Sequence, residues 1–567
     1  DSITAAREEV GRGDEFGNFE RGANYGANGI HSRYPLGAIS LQGNGGLSLA
    51  VRMDEPVVHR IAYNPWLNVF YISVDFGLVP EVNVNGKPLW IAPFRFVVYQ
   101  HDPAWGFRSA LERYYAMFPQ FFEKRVPVEG GWYVWKNMAD NPAHRDAGFA
   151  FHWGPPDPWA VKWDNANNVL ALNYIEPELY QQTMGDWDHA PTRDESLLRL
   201  YKLAAGDREE TEKMRKLTYA QSGAGHIAQF GLEEYLAVGE GTLVDYLQQL
   251  SKATLESLIR DASGQPMLNI GQFPWIGDSR WAAQFPTNLD PDIPGGLGRF
   301  NIDVSLAWSL KGWETYGARI DGFALDSLGY WLEGRADYDA GHFKYADIPL
   351  SFSPLTKQPV IVAPFATVEW LRELASLARK DGRFLMANSS WTTSPSWLTF
   401  AAPYLDIFGA ENRRFPDPDY IRTIAYRKPA TDLPYTAPPD WEVAWHLLHD
   451  IYPGDGNKLE MMERYTLLLH ELSAAGWDPV TYARVTPGDL RIERYGSGKL
   501  VYLVVHNPRQ ESVTAKVTVE SAALGLKRPK VTAIFSGEES RPRMNGNEIE
   551  LTLGPLATVV LRIEETE

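Results

Sequence analysis

Residues 319–331 read RIDGFALDSLGYW, an apolar run typical of a buried strand that ends at the carboxylate of Asp326. An ionised carboxylate is costly to bury unless it is paired or hydrogen-bonded. Asp326 is therefore expected either at the open end of a strand or inside a satisfied polar network. Both arrangements place a chemically useful group where a site can form.

On both sides of this stretch, short apolar runs alternate with longer helical patterns, which is typical of parallel βα units. Eight such units predict a (β/α)8 TIM barrel over residues 129–487. A doubly wound open sheet is the alternative, but no GxGxxG fingerprint follows the first strand. The eight predicted strands are 132–137, 169–176, 266–273, 319–326, 383–390, 404–411, 430–435 and 478–485.

The chain on either side of the predicted barrel has the alternating pattern of antiparallel strands. Short alternating runs separated by Gly, Pro and Asn predict an N-terminal β-sandwich, followed by a linker helix, within residues 1–128. A second set of alternating runs predicts a C-terminal antiparallel β-sandwich over residues 488–567. The fold class predicted is multidomain α/β, with a barrel between two β-sandwiches.

Composition excludes several classes of partner and chemistry. The formal charge of −18 argues against nucleic acid and anionic membrane surfaces. The absence of cysteine excludes disulfides and cysteine nucleophiles. No apolar run reaches the length of a membrane span. A secreted and a cytoplasmic location both stay open, as does the oligomeric state.

Motifs for several common reactions are absent. The sequence contains no GxSxG elbow, Walker loop or HExxH pattern, so serine hydrolysis, phosphoryl transfer and zinc chemistry lose support. His446 and His449 are spaced as one helix face, which is more typical of a surface or core feature than of a metal site. The text NLDPDIPGG at 288–296 could bind calcium, but a solvated loop is the favoured interpretation. We therefore expect no metal and no cofactor.

Two acidic residues end predicted strands that are not neighbours. Barrel enzymes carry their chemistry at the C-terminal ends of the strands. Asp326 ends the fourth strand and Glu411 ends the sixth. Glycoside hydrolysis uses such a pair, with one carboxylate on each side of the scissile bond. Small inner residues, Ala324 and Gly409, predict open space near the barrel axis.

Each carboxylate also has a structural interpretation. Asp326 could cap the helix that follows it, and Glu411 could pair with the arginines at 413–414. Asp321 and Asp406, at the start and middle of their strands, are predicted to be structural. The remaining polar and aromatic side chains at the strand ends are predicted to bind substrate; they are Tyr174, Glu176, Asn388, Trp391 and Arg413.

The aromatic content also has two interpretations. The chain holds 20 Trp, 27 Tyr and 25 Phe. These residues could fill large cores, or they could form flat platforms for sugar rings. Several of the tryptophans fall in predicted loops or near strand ends, which favours a sugar-lined cleft for some of them.

The chain resembles retaining α-glycosidases of the α-galactosidase and endo-α-N-acetylgalactosaminidase type. The resemblance rests on the domain order, the helix with FP…FEKR text, the GGW opening of the barrel and the phrases IDGFALDS and LDIFGAEN. Those families carry a nucleophilic Asp after strand four and an acid/base carboxylate after strand six, which match Asp326 and Glu411. Where α-galactosidases place a Lys, this chain has Ala324.

The resemblance implies cleavage of an α-glycosidic bond in an oligo- or polysaccharide by double displacement. Two other classes stay open from the sequence: a carbohydrate-binding or scaffolding protein on a non-catalytic barrel, and a carbohydrate isomerase or lyase that uses the same acids. The sugar, the linkage and exo or endo action are not defined.

Overall fold

The computed structural model describes most of the chain. The described residues are 22–24, 30–41, 45–64, 67–141, 143–185, 187–219, 242–273, 280–353, 355–390, 397–411, 417–535 and 542–566. Two predicted substrate contacts, Trp391 and Arg413, lie outside these ranges.

A parallel eight-stranded sheet forms the centre of the molecule and confirms the predicted barrel. Its strands follow one another in sequence order, and each pairs in parallel with the next. Across the gap between the last strands and the first, Trp132 N–H donates to Thr431 Oγ1 at 3.0 Å and its carbonyl accepts from Asp455 N–H at 2.7 Å. The strands are β1 Gly131–Val134, β2 Phe149–Trp153, β3 Leu170–Ile175, β4 Gly322–Leu325, β5 Phe384–Ser390, β6 Ile407–Glu411, β7 Ala430–Leu433 and β8 Ile451–Tyr452.

Six of the eight predicted strands lie in this sheet, and two predictions are wrong. The segment 266–273 contains Asn269–Gln272, which pairs antiparallel with Trp281–Pro286 in a separate sheet. The segment 478–485 contributes to the C-terminal sheets instead. The missed strands are β2, which precedes the predicted second strand, and β8. One strand was missed and one was wrongly added before the fourth, so the fourth to seventh predicted strands keep their numbers in the observed barrel.

Helices follow most of the barrel strands and cover the sheet from outside. None of those in the described part of the chain has the length and hydropathy of a membrane span. The α-helices are Phe107–Met117, Ala143–Asp146, Pro158–Ala166, Arg193–Ala204, Arg208–Tyr219, Leu243–Glu256, Leu297–Phe300, Ala307–Thr315, Ala340–Phe343, Ala363–Lys380, Leu398–Ala401, Pro418–Ala425, Asp440–Trp445 and Leu459–Ala475; Asn301–Leu306 is a π-helical turn, and Pro119–Phe122, Met138–Asp140 and His446–Leu448 are 3-10 turns.

Antiparallel sheets flank the barrel, as predicted. The N-terminal strands are Gly22–Asn24 and Ile30–Ser32, Leu36–Leu41, Gly45–Val51 and Phe96–His101, and His59–Asn64 and Val69–Val74. The C-terminal sheets comprise Trp477–Asp478, Arg491–Ser497, Leu500–His506, Thr558–Glu565 and Pro529–Phe535, facing Ala483–Thr486, Val513–Val519, Glu548–Leu553 and Arg543–Asn545. Smaller sheets inserted in the barrel are Leu179–Gly185, Trp281–Pro286 and Asn269–Gln272, and Ala336–Asp337, Pro359–Val362 and Ser351–Phe352.

Large side chains fill the barrel interior below its C-terminal end. Trp132 and Trp153 are almost fully buried, and their rings lie 4.8 Å apart between centroids. A Cβ atom on Gly409 would meet the Trp132 ring at 3.0 Å and the Met386 side chain at 3.2 Å. The prediction of open space at Gly409 is therefore wrong, because Trp132 from β1 occupies that space. The interior is a packed core, and a site can form only above it.

The linker helix ties the C-terminal sheets to the rest of the molecule. Arg108 of that helix donates to both carboxylate oxygens of Glu493, at 2.7 and 3.0 Å. Trp477 Nε1 donates to the same carboxylate at 3.1 Å. All three side chains are buried, so the ion pair depends on this complete set of hydrogen bonds.

Candidate active site

The ends of β3 to β6 bring five of the predicted site residues together at the C-terminal face. Alternate residues of each strand face the barrel interior, and Asp326, Asn388 and Glu411 continue the inward positions of Ala324, Met386 and Gly409. Asp326 N–H donates to the Ile175 carbonyl at 2.8 Å, which extends the pairing of β3 and β4 by one residue.

Asp326 accepts hydrogen bonds from three groups. Tyr174 Oη donates to Asp326 Oδ2 at 2.8 Å, and Asn388 Nδ2 donates to Oδ1 at 2.9 Å. Ser327 N–H also donates to Oδ1 at 2.8 Å. Ser327 has φ 51°, a left-handed conformation that is unusual for a serine. Because this strained residue sits directly after Asp326, its backbone helps to fix the carboxylate.

The amide of Asn388 joins the two carboxylates. Its Nδ2 donates to Glu411 Oε2 at 2.7 Å as well as to Asp326 Oδ1 at 2.9 Å. The two acceptor oxygens therefore lie no farther apart than the sum of these distances, about 5.6 Å. The register of β5 against β6 shifts between Asn388 and Ser390, and an irregularity of this kind re-aims side chains at a strand end.

The two carboxyl groups have different electrostatic surroundings. Burial raises the pKa of Asp326, while its hydrogen bonds from Tyr174, Asn388 and Ser327 oppose that rise. Burial, followed by the charge of Asp326, raises the pKa of Glu411 to about 7, and only the Asn388 amide opposes it. Glu411 therefore holds a proton near neutral pH, whereas Asp326 has most of the groups that stabilise an anion.

Glu176 is a third carboxyl group beside the pair. Its Oε1 accepts from Trp331 Nε1 at 2.6 Å, and its side chain is almost fully buried. Burial and then the charge of Asp326 raise the pKa of Glu176 to about 8. The raised pKa favours the protonated carboxyl near neutral pH, and in that form Glu176 can donate a hydrogen bond to a ligand as well as accept one.

Aromatic rings form one wall of the site. The ring of Tyr174 lies 5.0 Å from that of Trp135 and 6.1 Å from that of Trp153, between centroids. Trp135 directly follows β1 and is 41% exposed. From the sequence, Trp135 could be recognised only as one of several tryptophans near predicted strand ends. No stronger signal was present in the sequence, because Trp135 falls inside the predicted strand 132–137, whereas β1 ends at Val134.

Asp321 and Asp406 make structural hydrogen bonds, as predicted. Asp321 Oδ2 accepts from Ala171 N–H at 3.0 Å and joins the starts of β3 and β4. Asp406 accepts from Arg125 at 3.0 Å and from Leu385 N–H at 2.9 Å. Both therefore satisfy backbone and arginine groups at the opposite end of the barrel.

The described residues contain no group of three or more His, Asp or Glu side chains arranged for a metal ion. The segment 288–296, predicted as a solvated loop, is buried where it begins, since Asn288 and Asp290 are 1% exposed, and is exposed at Pro294 and Gly295. Asn288 Nδ2 donates to Asp337 at 3.0 Å, which fastens the loop to a neighbouring strand. His446 and His449 are buried too, so the core interpretation of that pair is confirmed.

No protein-family model matches the chain, and no curated protein matches it. Among solved structures, it is similar to an α-N-acetylgalactosaminidase from Bifidobacterium bifidum, with a TM-score of 0.41 and 10% identity over 84% of this chain and 73% of that one. An α-amylase from H. orenii has a TM-score of 0.38 and 10% identity over 78% of this chain and all of that one. A family 30 xylanase from Clostridium acetobutylicum has a TM-score of 0.32 and 9% identity, over 77% and 96%.

These neighbours are glycoside hydrolases. The likenesses are weak in both sequence and superposition. The barrel of this chain is therefore established by its own strand pairing.

Proposed function

We propose that the protein is a retaining glycosidase that cleaves an α-glycosidic bond, with Asp326 as nucleophile and Glu411 as acid/base. The observation that carries this proposal is the Asn388 amide, which hydrogen-bonds both carboxylates at once. The resulting limit of about 5.6 Å between their oxygens suits a retaining pair, whose carboxyl groups lie about 5–5.5 Å apart. Inverting pairs are about 6.5–9.5 Å apart. The α-linkage comes from the family resemblance alone.

In the first step a carboxylate oxygen of Asp326 forms a bond to the anomeric carbon while the bond to the leaving oxygen breaks. Glu411 gives its proton to that leaving oxygen. A proton held near neutral pH is what this role requires, and burial beside Asp326 supplies it by raising the pKa of Glu411 to about 7.

In the second step Glu411, now ionised, removes a proton from water. The water oxygen bonds to the anomeric carbon, and the bond to Asp326 breaks. Tyr174, Asn388 and Ser327 donate to Asp326 throughout, and these bonds stabilise the carboxylate both before attack and on its release.

Glu176 and Trp135 are placed to contact the sugar beside the nucleophile. The Glu176 carboxyl lies close enough to Asp326 for that charge to raise its pKa. Trp331 Nε1 donates to Glu176 Oε1 and holds the Glu176 side chain in place. The exposed ring of Trp135 offers an apolar face to a sugar ring. Tyr174 contributes by positioning Asp326. Trp391 and Arg413, which lie outside the described residues, complete the predicted set of substrate contacts.

The test is hydrolysis of a panel of aryl α- and β-glycosides by the wild-type protein and by Asp326→Ala and Glu411→Ala. We expect the wild-type protein to cleave an α-glycoside. Asp326→Ala should lower that rate at least about 10³-fold, because removal of a catalytic nucleophile costs at least that order in kcat. Glu411→Ala should lower the cleavage rate less than Asp326→Ala does when the aryl leaving group departs without protonation. The anomer first released, read by NMR, should be the α-anomer.

Asp321→Asn is the matched control, because Asp321 is a carboxylate at the opposite end of the same strand as Asp326. It should keep the wild-type rate. Cleavage that survives both Asp326→Ala and Glu411→Ala would refute the assignment. Binding of sugar without any cleavage would favour the non-catalytic carbohydrate-binding alternative.

A further inference from the structure

We propose that Ser40 and His101 form a second reactive site, on the N-terminal sheet, where the serine hydroxyl attacks carboxylic esters. Ser40 Oγ lies 2.9 Å from His101 Nε2, and His101 Nδ1 lies 2.8 Å from Ser48 Oγ. Ser40 is exposed, whereas His101 and Ser48 are buried. A solvent-facing serine that is hydrogen-bonded to an oriented imidazole is the arrangement of a nucleophile with its general base. The pair lies outside the barrel and does not depend on the proposed glycosidase function.

The register of three antiparallel strands brings these side chains onto one face of the sheet. Ser40 lies opposite Gly46, and Gly46 lies opposite His101, so the three residues form one row across the strands. Ser48 is two residues beyond Gly46 on the middle strand and therefore has the same orientation. A Cβ atom on Gly46 would overlap the His101 ring, so the glycine leaves the space through which the imidazole reaches Ser40. No sequence motif marks the pair, because its members come from separate strands.

The hydrogen bonds around His101 assign its proton to Nδ1. Tyr99 Oη donates to the Ala110 carbonyl at 3.0 Å. Ser48 lies opposite Tyr99, and its hydroxyl donates to the phenol oxygen, which opposes the rise that burial causes in the pKa of Tyr99. The Ser48 oxygen therefore accepts from His101 Nδ1–H, which leaves Nε2 as the acceptor for the Ser40 hydroxyl. Burial lowers the pKa of His101, so the imidazole is neutral near pH 7 and can take that proton.

The linker helix, Phe107–Met117, begins beside Ser40. Gly106 precedes the helix with φ 50°, and a Cβ atom on it would lie 3.8 Å from Ser40 Oγ. Within the described residues, no side chain caps this helix, and its first turn carries no acidic residue. The first N–H groups of a helix lack partners within it, and they carry the positive end of its dipole. These groups therefore stand near the point where negative charge would develop on the carbonyl oxygen of an ester attacked by Ser40.

The reaction at this pair is acyl transfer to serine followed by hydrolysis. The Ser40 oxygen bonds to the ester carbonyl carbon, the carbonyl π electrons move to the carbonyl oxygen, and the serine proton passes to His101 Nε2. When the tetrahedral intermediate collapses, the bond to the alcohol oxygen breaks, and the alcohol leaves with the proton from His101. Water then attacks the acyl carbon and gives a proton to Nε2. The bond to Ser40 breaks, the acid is released, and Ser40 recovers its proton.

The first experiment uses p-nitrophenyl acetate as the ester and a fluorophosphonate as the covalent probe. The wild-type protein should hydrolyse the ester, and the probe should label the peptide that contains Ser40, read by mass spectrometry of the digest. Ser40→Ala should lose both the hydrolysis and the label. His101→Gln should lower both rates at least about 10²-fold, the contribution of a general base. Ser497→Ala is the matched control, because Ser497 is exposed at the end of strand Arg491–Ser497, and it should behave as the wild type.

The second experiment uses the absence of cysteine from the chain and does not depend on which ester is accepted. Ser40→Cys and Ser497→Cys each introduce one thiol. Iodoacetamide should alkylate the Ser40→Cys protein at least about tenfold faster near neutral pH, because an adjacent imidazole favours the thiolate, which is the nucleophile. Adding His101→Gln should remove that advantage. Equal alkylation of the two single-thiol variants, ester hydrolysis unchanged in Ser40→Ala, or a fluorophosphonate label on another serine would each overturn the proposal. Neither assay involves a glycosidic bond, so both are independent of the aryl glycoside panel.

Discussion

Replacing Asn388 by leucine removes the group that joins the two carboxylates while keeping a side chain of similar size. Asn388 is 4% exposed and donates at 2.9 Å to Asp326 and at 2.7 Å to Glu411. A hydrogen bond to a charged group contributes about 1.5–3 kcal/mol. If one such bond is lost from the transition state, kcat/KM falls by about 10- to 150-fold.

The same substitution should shift the pH dependence of kcat/KM. The Asn388 amide lowers the pKa of Glu411, whose value of about 7 is already raised by burial and by Asp326. Without the amide that pKa rises further. The proposed acid then keeps its proton to higher pH, so the alkaline limb of the profile moves upward.

Ser389→Ala is the control, because Ser389 is the next residue on β5, is equally buried and bonds only weakly to the Gly409 carbonyl at 3.4 Å. It should leave the limb in place. Both profiles are measured from initial rates with the best aryl glycoside, after thermal denaturation confirms folding. A loss below threefold in Asn388→Leu, or an alkaline limb that moves down, would contradict the proposed role of the Asn388 amide.

Three further predictions concern stability. Gly409→Ala should destabilise the protein by about 1–3 kcal/mol in urea unfolding, because its Cβ meets Trp132 and overpacks the core. Arg108→Met should lower the free energy of unfolding by about 3–5 kcal/mol, because it leaves the Glu493 carboxylate buried without its partner. The double variant Arg108→Met with Glu493→Leu should lower it less. Burial lowers the pKa of Lys428 to about 7, so the folded state binds fewer protons than the unfolded state above pH 7; stability should rise from pH 7 to 10, and Lys428→Met should flatten that rise.

The strands that carry the site could be predicted from the sequence because they share one pattern. β4, β5 and β6 are apolar runs that end at a polar residue, and that pattern reflects burial of the strand below an open end. Asp326 and Glu411 followed from those ends. The carboxylates are joined through Asn388, which lies at a register irregularity between β5 and β6, and no local sequence pattern encodes such an irregularity.

The errors have physical causes as well. In β2 the buried His152 interrupts the apolar run, and its Nδ1 hydrogen-bonds Asp164, a residue of the helix that follows, at 2.7 Å. β8 spans two residues, too few to show a period. The small residues of β4 and β6 predicted open space beside Gly409. Trp132 from β1 fills that space, and a contact between distant strands of this kind cannot be predicted from the small residues alone.

The most direct measurement of the central claim is identification of the residue that carries the sugar during turnover. A fluorinated analogue of the best substrate, which slows release of the intermediate, would be added to the protein and the digest analysed by mass spectrometry. We expect one glycosyl adduct, on the peptide that contains Asp326, and none in Asp326→Ala. An adduct on Glu411 or Glu176, or turnover that proceeds with no adduct on any residue, would contradict the central claim.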